Sequence, residues 1–140
     1  MRLKGKKAIV TGGASGFGEG IVRKFVSEGA DVLIADLNIE AAQKLSDELG
    51  TAVLASETNV AKNESVLKMV ALASAELGGV DILVNNAGIT HLPAPMEEVS
   101  DEDFDKVFTV NCMSVFLTAK RIMDLPPSKL LRLFTDRIFR

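Results

Sequence analysis

Gly12, Gly16 and Gly18 stand in the stretch VTGGASGFGEG, residues 10–20, which packs five glycines into eleven positions. Glycine is entropically expensive to order, so something must come close to this backbone. The stretch follows the apolar run AIV and leads into a helical stripe. A glycine-rich turn from a first strand to a first helix offers free N–H groups, a partial positive charge and no obstructing side chains, which is what a pyrophosphate needs. The spacing G-x-x-x-G-x-G is neither G-x-G-x-x-G nor a Walker loop, which requires Gly-Lys-Ser/Thr. For these residues alone, a strand-to-helix turn that binds nothing is the alternative. Asp36 weighs against it. This acid closes the run DVLIAD 18 residues past Gly18, where a dinucleotide fold bonds the adenosine ribose hydroxyls. A carboxylate there repels a 2′-phosphate, and no arginine lies in the loop to hold one. NAD is therefore favoured over NADP.

These residues need elements to hold them, and the first 90 positions alternate between two periods. The runs KKAIVT, DVLIAD, TAVLAS and DILVNN are nearly continuous in Val, Ile and Leu, as in strands buried on both faces. Between them run helical stripes. Ile21, Val22, Phe25 and Val26 precede Gly29 as a C-cap. Ala41, Ala42, Leu45 and Leu49 are opened by Asn38 as N-cap and closed by Gly50. Val66, Met69, Val70, Ala73 and Leu77 end at Gly78-Gly79. The order is βαβαβαβ, with connections short enough to require parallel crossovers. After the loop NNAGITHLPAP, residues 100–123 read as one helix. Ser100 and Asp103 suit a loose capping box, and Phe104, Val107, Phe108, Val115 and Phe116 supply the apolar positions. The expected fold class is α/β, with a parallel sheet covered on both faces.

Composition bounds the partners. The chain has 140 residues, is 47% hydrophobic and 25% charged, and carries a formal charge of −3, values of an ordinary globular domain with no general reason to bind nucleic acid. No apolar run approaches the roughly 18 residues of a membrane span, and AIV is too short for a signal peptide. One cysteine, Cys112, leaves no disulfide framework and no cysteine-based zinc site. No metal is expected, and a reducing cytoplasm is the default.

In order and spacing, TGGASGFG, Asp36, NV at 59–60, NNAG at 85–88 and Asn111 resemble the short-chain dehydrogenase/reductase family, from residue 1 to about residue 122. Within it the pattern is most like the 3-oxoacyl-carrier-protein reductase and glucose/steroid dehydrogenase group. The resemblance implies that Gly12, Ser15, Gly16, Phe17 and Gly18 form the pyrophosphate site, and that Leu37 stands beside Asp36 at the adenosine. It also implies that Asn59 and Val60 flank adenine. Many relatives have Asp at 59, but the Asn59 carbonyl accepts the same adenine N–H. Asn86, Ala87 and Gly88 would pass under a cofactor ribose. Asn111 would be the helix asparagine that holds a water in a proton relay, and asparagine is a mediocre helix former. A packed or solvent-facing Asn111 is the alternative.

The implied chemistry is hydride transfer between nicotinamide and a small alcohol or carbonyl substrate. A tyrosine acts as general acid/base, a lysine four residues later lowers its pKa, and a serine polarises the carbonyl. This chain contains no tyrosine. Ser128 follows Pro126-Pro127 and precedes KLLRLFTDRIFR, which departs from the family's fifth strand. His91, in a proline-flanked loop, reads as solvent-exposed, and Cys112 as a small buried apolar residue. The resemblance implies a Rossmann-type doubly wound parallel sheet of strand order 3-2-1-4, here truncated after its fourth strand and following helix, so that residues 1–123 read as an NAD-binding half-domain and 124–140 as an atypical basic tail. Residues 1–120 hold 11 Lys+Arg against 17 Asp+Glu, whereas 121–140 hold 5 against 2. Leu130, Leu131, Phe134 and Ile138 share a helical face, as a basic amphipathic helix for a membrane surface or a partner would present them, or as an unselected read-through or truncation product would. The expectation is a chain that keeps the cofactor site, lacks the catalytic half and self-associates. The alternatives are a non-catalytic nucleotide-binding or interaction module and a non-functional truncated product.

Overall fold

The computed structural model describes residues 1–126. It contains a parallel sheet of four strands, β1 (Lys7–Thr11), β2 (Asp31–Asp36), β3 (Val53–Glu57) and β4 (Ile82–Val84), in the order β3-β2-β1-β4. The helices are α1 (Gly16–Ser27), α2 (Ile39–Leu49), α3 (Asn63–Leu72), α4 (Asp101–Phe108) and α5 (Ser114–Met123), with a π-helical turn at Ala73–Leu77 continuing α3 and a 3-10 turn at Met96–Glu98. This is the 3-2-1-4 order that the family resemblance implied. Among the described residues, no helix is long and apolar enough to cross a membrane.

Strand parity explains the continuous apolar runs. Successive side chains point to opposite faces, and here both faces are covered. Ala8, Val10, Val32 and Ile34 pack with Val22, Ala42 and Leu45 from α1 and α2. Ile9, Leu33 and Ala35 pack with Val66, Met69, Val70 and Ala73, and with Ile122 of α5. Ile9, Leu33, Ile34 and Met69 are fully buried, each such side chain contributing about 1.5–3 kcal/mol of transfer free energy. The register sets Ile9 against Leu33 on one side and Leu83 on the other. It also brings Thr11 beside Ala35 and Asp36 beside Glu57, so the chemically distinctive residues share one end of the sheet.

Local chemistry sets the element ends. Asn38 accepts the Ala41 N–H at 3.0 Å and opens α2, which Gly50 closes at φ +90°. Glu28 caps α1, and Gly29 is the residue after it, at φ +88°. β3 begins at Val53 because residues 50–53 form a turn in which the Val53 N–H reaches the Gly50 carbonyl at 3.1 Å. β4 is shorter than the run DILVNN: Asp81 clamps Lys7 at its start, and Asn86 leaves the ladder to bond Thr11. Between α1 and α2, Arg23 forks onto Glu48 at 2.7 and 2.9 Å, with Glu19 at 2.8 Å. Those contacts, Glu48 first, raise the guanidinium above its ordinary range.

Residues 100–123 are helical, but two expectations for them need correction. A π-helical turn, Thr109–Met113, separates α4 from α5. The apolar positions also do not all pack: Phe104, Phe108, Val115 and Phe116 are exposed. The buried face of α5 is Ser114, Thr118 and Ile122 instead. Small or β-branched residues let the helix approach α3 and the end of β4 closely, and the phenylalanines turn away. The Ser100 hydroxyl caps α4 by accepting the Asp103 N–H, and the Asp103 carboxylate accepts that hydroxyl's proton in return. Of the tail, residues from 127 on lie outside the described residues, including Ser128 and the stripe Leu130, Leu131, Phe134 and Ile138.

Candidate functional site

The turn from β1 to α1 is compressed against the segment after β4. A Cβ on Gly18 would lie 2.0 Å from the Gly12 carbonyl oxygen, and one on Gly12 would meet the Ala87 Cα at 3.0 Å. Both positions exclude side chains because protein backbone already fills the space. Gly16 differs: its φ is +55°, and nothing stands within 4 Å of its missing Cβ. Ser15 is the N-cap of α1 yet makes no side-chain cap bond, so the helix N-terminus keeps its partial positive charge open. Phe17 is 90% exposed at the same place.

Thr11 ties this turn to the end of β4. Its hydroxyl donates to the Val84 carbonyl at 3.2 Å and accepts the N–H groups of Asn86 and Ala87 at 3.0 and 3.1 Å. One donor and two lone pairs are thereby saturated, at a residue only 1% exposed. The Asn86 amide returns the contact, donating to the Thr11 and Gly12 carbonyls at 3.0 and 2.9 Å. Motif spacing includes Thr11 without giving it a role. An oxygen at the last position of β1, beside a strand that ends in two asparagines, was the available signal.

From β2, the Asp36 carboxylate reaches the same turn: it accepts the Ala14 N–H at 3.0 Å through Oδ2 and the Asn38 N–H at 2.9 Å through Oδ1. The side chain is thus fixed from both sides by main chain, with a free lone pair on each oxygen. Leu37 beside it is 65% exposed. Asn59 is fixed likewise: its Oδ1 accepts the Ala61 N–H at 3.0 Å, and its own N–H donates to Ser65 at 2.8 Å.

Asn111 sits in the π turn, close to Gly88, whose Cβ would lie 3.4 Å from its Oδ1, and its side chain bonds Ile89. Its Oδ1 accepts the Ile89 N–H and its Nδ2 donates to the Ile89 carbonyl, both at 2.8 Å. Two turns on, buried Thr118 donates to the Asn85 side-chain oxygen at 2.7 Å. Two expectations nearby are corrected. Cys112 is exposed, in a π turn that buries none of its residues. His91 is half-buried, with Nδ1 2.7 Å from the Leu92 carbonyl.

A cleft of about 590 Å³ gathers most of these residues: Gly12, Ser15, Phe17, Asp36, Leu37, Asn59, Val60, Asn86, Ala87 and Gly88. Gly16, Gly18 and Asn111 do not line it. Gly18 lies behind Gly12, and Asn111 acts through Ile89. The cleft also takes in Ala35, Thr58, Ala61, Ile89, Lys106 and Val110, none of which the motifs identified. An uncapped helix N-terminus and a rigid carboxylate lining one cleft suit a ligand that carries both an anionic group and hydroxyls.

Comparison with known proteins bears on that ligand. The family model described as short chain dehydrogenase matches residues 6–127. A sorbitol dehydrogenase of Cereibacter sphaeroides is 42% identical over 111 residues, covering 79% of this chain and 43% of the relative. A 4-formylbenzenesulfonate dehydrogenase of Comamonas testosteroni is 46% identical over 123 residues, covering 86% and 49%. Among solved structures, a 3-ketoacyl-(acyl-carrier-protein) reductase from Brucella melitensis, complexed with NADH, superposes with a TM-score of 0.84 at 41% identity, covering 86% of this chain and 50% of that one. The chain spans about half the length of the relatives it matches.

Proposed function

The chain belongs to the short chain dehydrogenase family, and from that premise we propose that its cleft holds NAD in preference to NADP, as the cofactor half of an alcohol/carbonyl oxidoreductase. The observation that carries this reading is the meeting, in one cleft, of an uncapped helix N-terminus at Ser15 with the Asp36 carboxylate. NAD, when bound, accepts a hydride at its nicotinamide. The residues of the chain bind and orient it. The α1 N-terminus and the glycine turn take the pyrophosphate, Asp36 and Leu37 the adenosine ribose, Asn59 and Val60 the adenine. Asn86, Ala87 and Gly88 carry the second ribose, and Asn111 sets the position of the loop beyond them.

The fit rests on two features. Gly16 has open space where its Cβ would be, so an anion reaches the first turn. Asp36 is immobilised by Ala14 and Asn38, so it accepts ribose hydroxyls without reordering. Its charge opposes a 2′-phosphate at the same place.

Turnover needs a general acid/base, and the family's tyrosine has no counterpart among these 140 residues, which contain no Tyr. Such a group contributes about 10²–10⁴-fold. The 140-residue chain therefore binds nucleotide without measurable hydride transfer, as a non-catalytic module does. Calorimetric titration with NAD and NADP, and nicotinamide absorbance against a panel of alcohols and ketones, test the two statements. NAD should bind at least about tenfold more tightly, a gap of ~1.4 kcal/mol, and Asp36→Asn should narrow it. Equal or tighter NADP binding overturns the cofactor reading. Turnover that survives purification and is lost in Asn111→Ala overturns the second.

A further inference from the structure

The charge on α4 is unusual in one place. The helix, DEDFDKVF, carries Asp101, Glu102, Asp103 and Asp105, and Lys106 is its one cation. A lysine in a last turn ordinarily answers the helix dipole, but α4 does not end there: the chain continues through the π turn into α5. Glu102, four residues earlier, is the ordinary ion-pair partner at this spacing. Lys106 nevertheless takes part in no ion pair among the described residues.

What Lys106 does meet is the cleft. It lines the wall with Ala61 and with Val110, one turn further on, and is the only Lys or Arg among the described lining residues; the same three residues border a second hollow, which also takes Glu102 and Asp105. The only carboxylate among the described residues lining the cleft is Asp36, already held by two main-chain N–H groups. An unpaired cation on the wall of a cleft raises the local concentration of anionic ligands.

We propose that Lys106 is an affinity-determining residue of this site: its ammonium supplies the side-chain positive charge that draws a phosphate-bearing adenine nucleotide against the wall formed by Ala61 and Val110. The inference rests on the dinucleotide reading above and adds a residue that the glycine-turn motif does not contain. The ammonium acts by charge, through space, on a ligand whose pyrophosphate lies at the α1 N-terminus.

A charge series tests it. NAD is titrated calorimetrically into the 140-residue chain and its Lys106→Arg, Lys106→Met and Lys106→Glu variants, at low and at high salt. Lys106→Arg should bind as the unsubstituted chain does. Lys106→Met should lose about three- to tenfold at low salt and Lys106→Glu more, with the differences shrinking at high salt. Lys106 is exposed, so thermal midpoints should stay together and separate a lost charge from a lost fold. If Lys106→Met and Lys106→Glu bind NAD like the unsubstituted chain, the inference falls while the dinucleotide reading stands. It falls in the same way if Lys106→Arg weakens as much as Lys106→Met, since a contact rather than a charge is then at work. Absence of NAD binding by the unsubstituted chain overturns both.

Discussion

Asn111 holds both main-chain polar groups of Ile89, accepting its N–H and donating to its carbonyl at 2.8 Å each. The pair works like one rung of a sheet ladder, made by a side chain and set between a π turn and an irregular loop. It bridges 22 residues of sequence and fixes one wall of the cleft, which Ile89 lines and Asn111 does not.

Asn111→Ala should release that rung. With each hydrogen bond worth about 1 kcal/mol net, the Ile89 amide should exchange with solvent roughly tenfold faster or more, with the far-ultraviolet spectrum unchanged. Hydrogen exchange read residue by residue checks it. An unchanged rate at Ile89 would show that the loop is held by something else.

Gly18 and Gly20 lie on the same helix and should respond in opposite directions. A Cβ at 18 collides with the Gly12 carbonyl oxygen at 2.0 Å, whereas nothing stands within 4 Å at position 20. Gly18→Ala should cost about 1–3 kcal/mol or more by forcing the turn apart, and should abolish nucleotide binding. Gly20→Ala, in a helix interior, should stabilise by ~1 kcal/mol. Urea midpoints decide both, and a neutral Gly18→Ala would refute the packing account.

The sheet has two edges, and they are unequal. β3 carries Ser56 and Glu57, while the paired residues of β4 are Ile82, Leu83 and Val84, with no charge to discourage further pairing. Unprotected apolar edges recruit other strands. The 140-residue chain should therefore self-associate as its concentration rises, with slowed exchange at residues 82–84 in the associated form. Size-exclusion chromatography over a concentration series, with hydrogen exchange, is the measurement. A sharp monomer peak at every concentration refutes it.

Glu28 joins the first residues of the chain to α1. Its carboxyl is held down to about 2 from an ordinary 4.5, first by the Arg2 backbone N–H and then by Lys24. The folded pKa lies below the unfolded one, so this stabilisation is complete above the unfolded value and fades as the pH falls toward 2. Glu28→Gln should lower the denaturation midpoint at neutral pH, and the deficit should close as the pH drops through that window. A deficit independent of pH would assign the effect to packing instead.

Much of the fold was legible in local chemistry. Four apolar runs with helical stripes between them imply a covered parallel sheet, because continuous Val, Ile and Leu is tolerated only where both faces are buried. The caps at Asn38 and Gly50 are single-residue chemistry, so they sit where the pattern placed them. Strand ends were less legible. β4 stops early because Asn86 is drawn to Thr11, 75 residues away, and no local pattern carries that.

From residue types and spacing alone it follows that a glycine turn comes after the first strand, that an acid closes the second and that the strands run parallel, while the order β3-β2-β1-β4 was an expectation of the family resemblance. Only the tertiary structure decided which side of each element meets the cleft. A helical period separates two faces but does not say which neighbour each will find, so Phe104 and Phe116 turn outward while Ser114 and Thr118 are buried. Motif spacing likewise does not separate a glycine that opens space for a ligand from one that makes room for backbone. Gly16 has nothing within 4 Å of its missing Cβ, and Gly18 has the Gly12 carbonyl at 2.0 Å. The cleft is built from strand ends far apart in sequence, and its wall at Ile89, Lys106 and Val110 exists only once α5 has packed beside α3 and Asn111 has met Ile89.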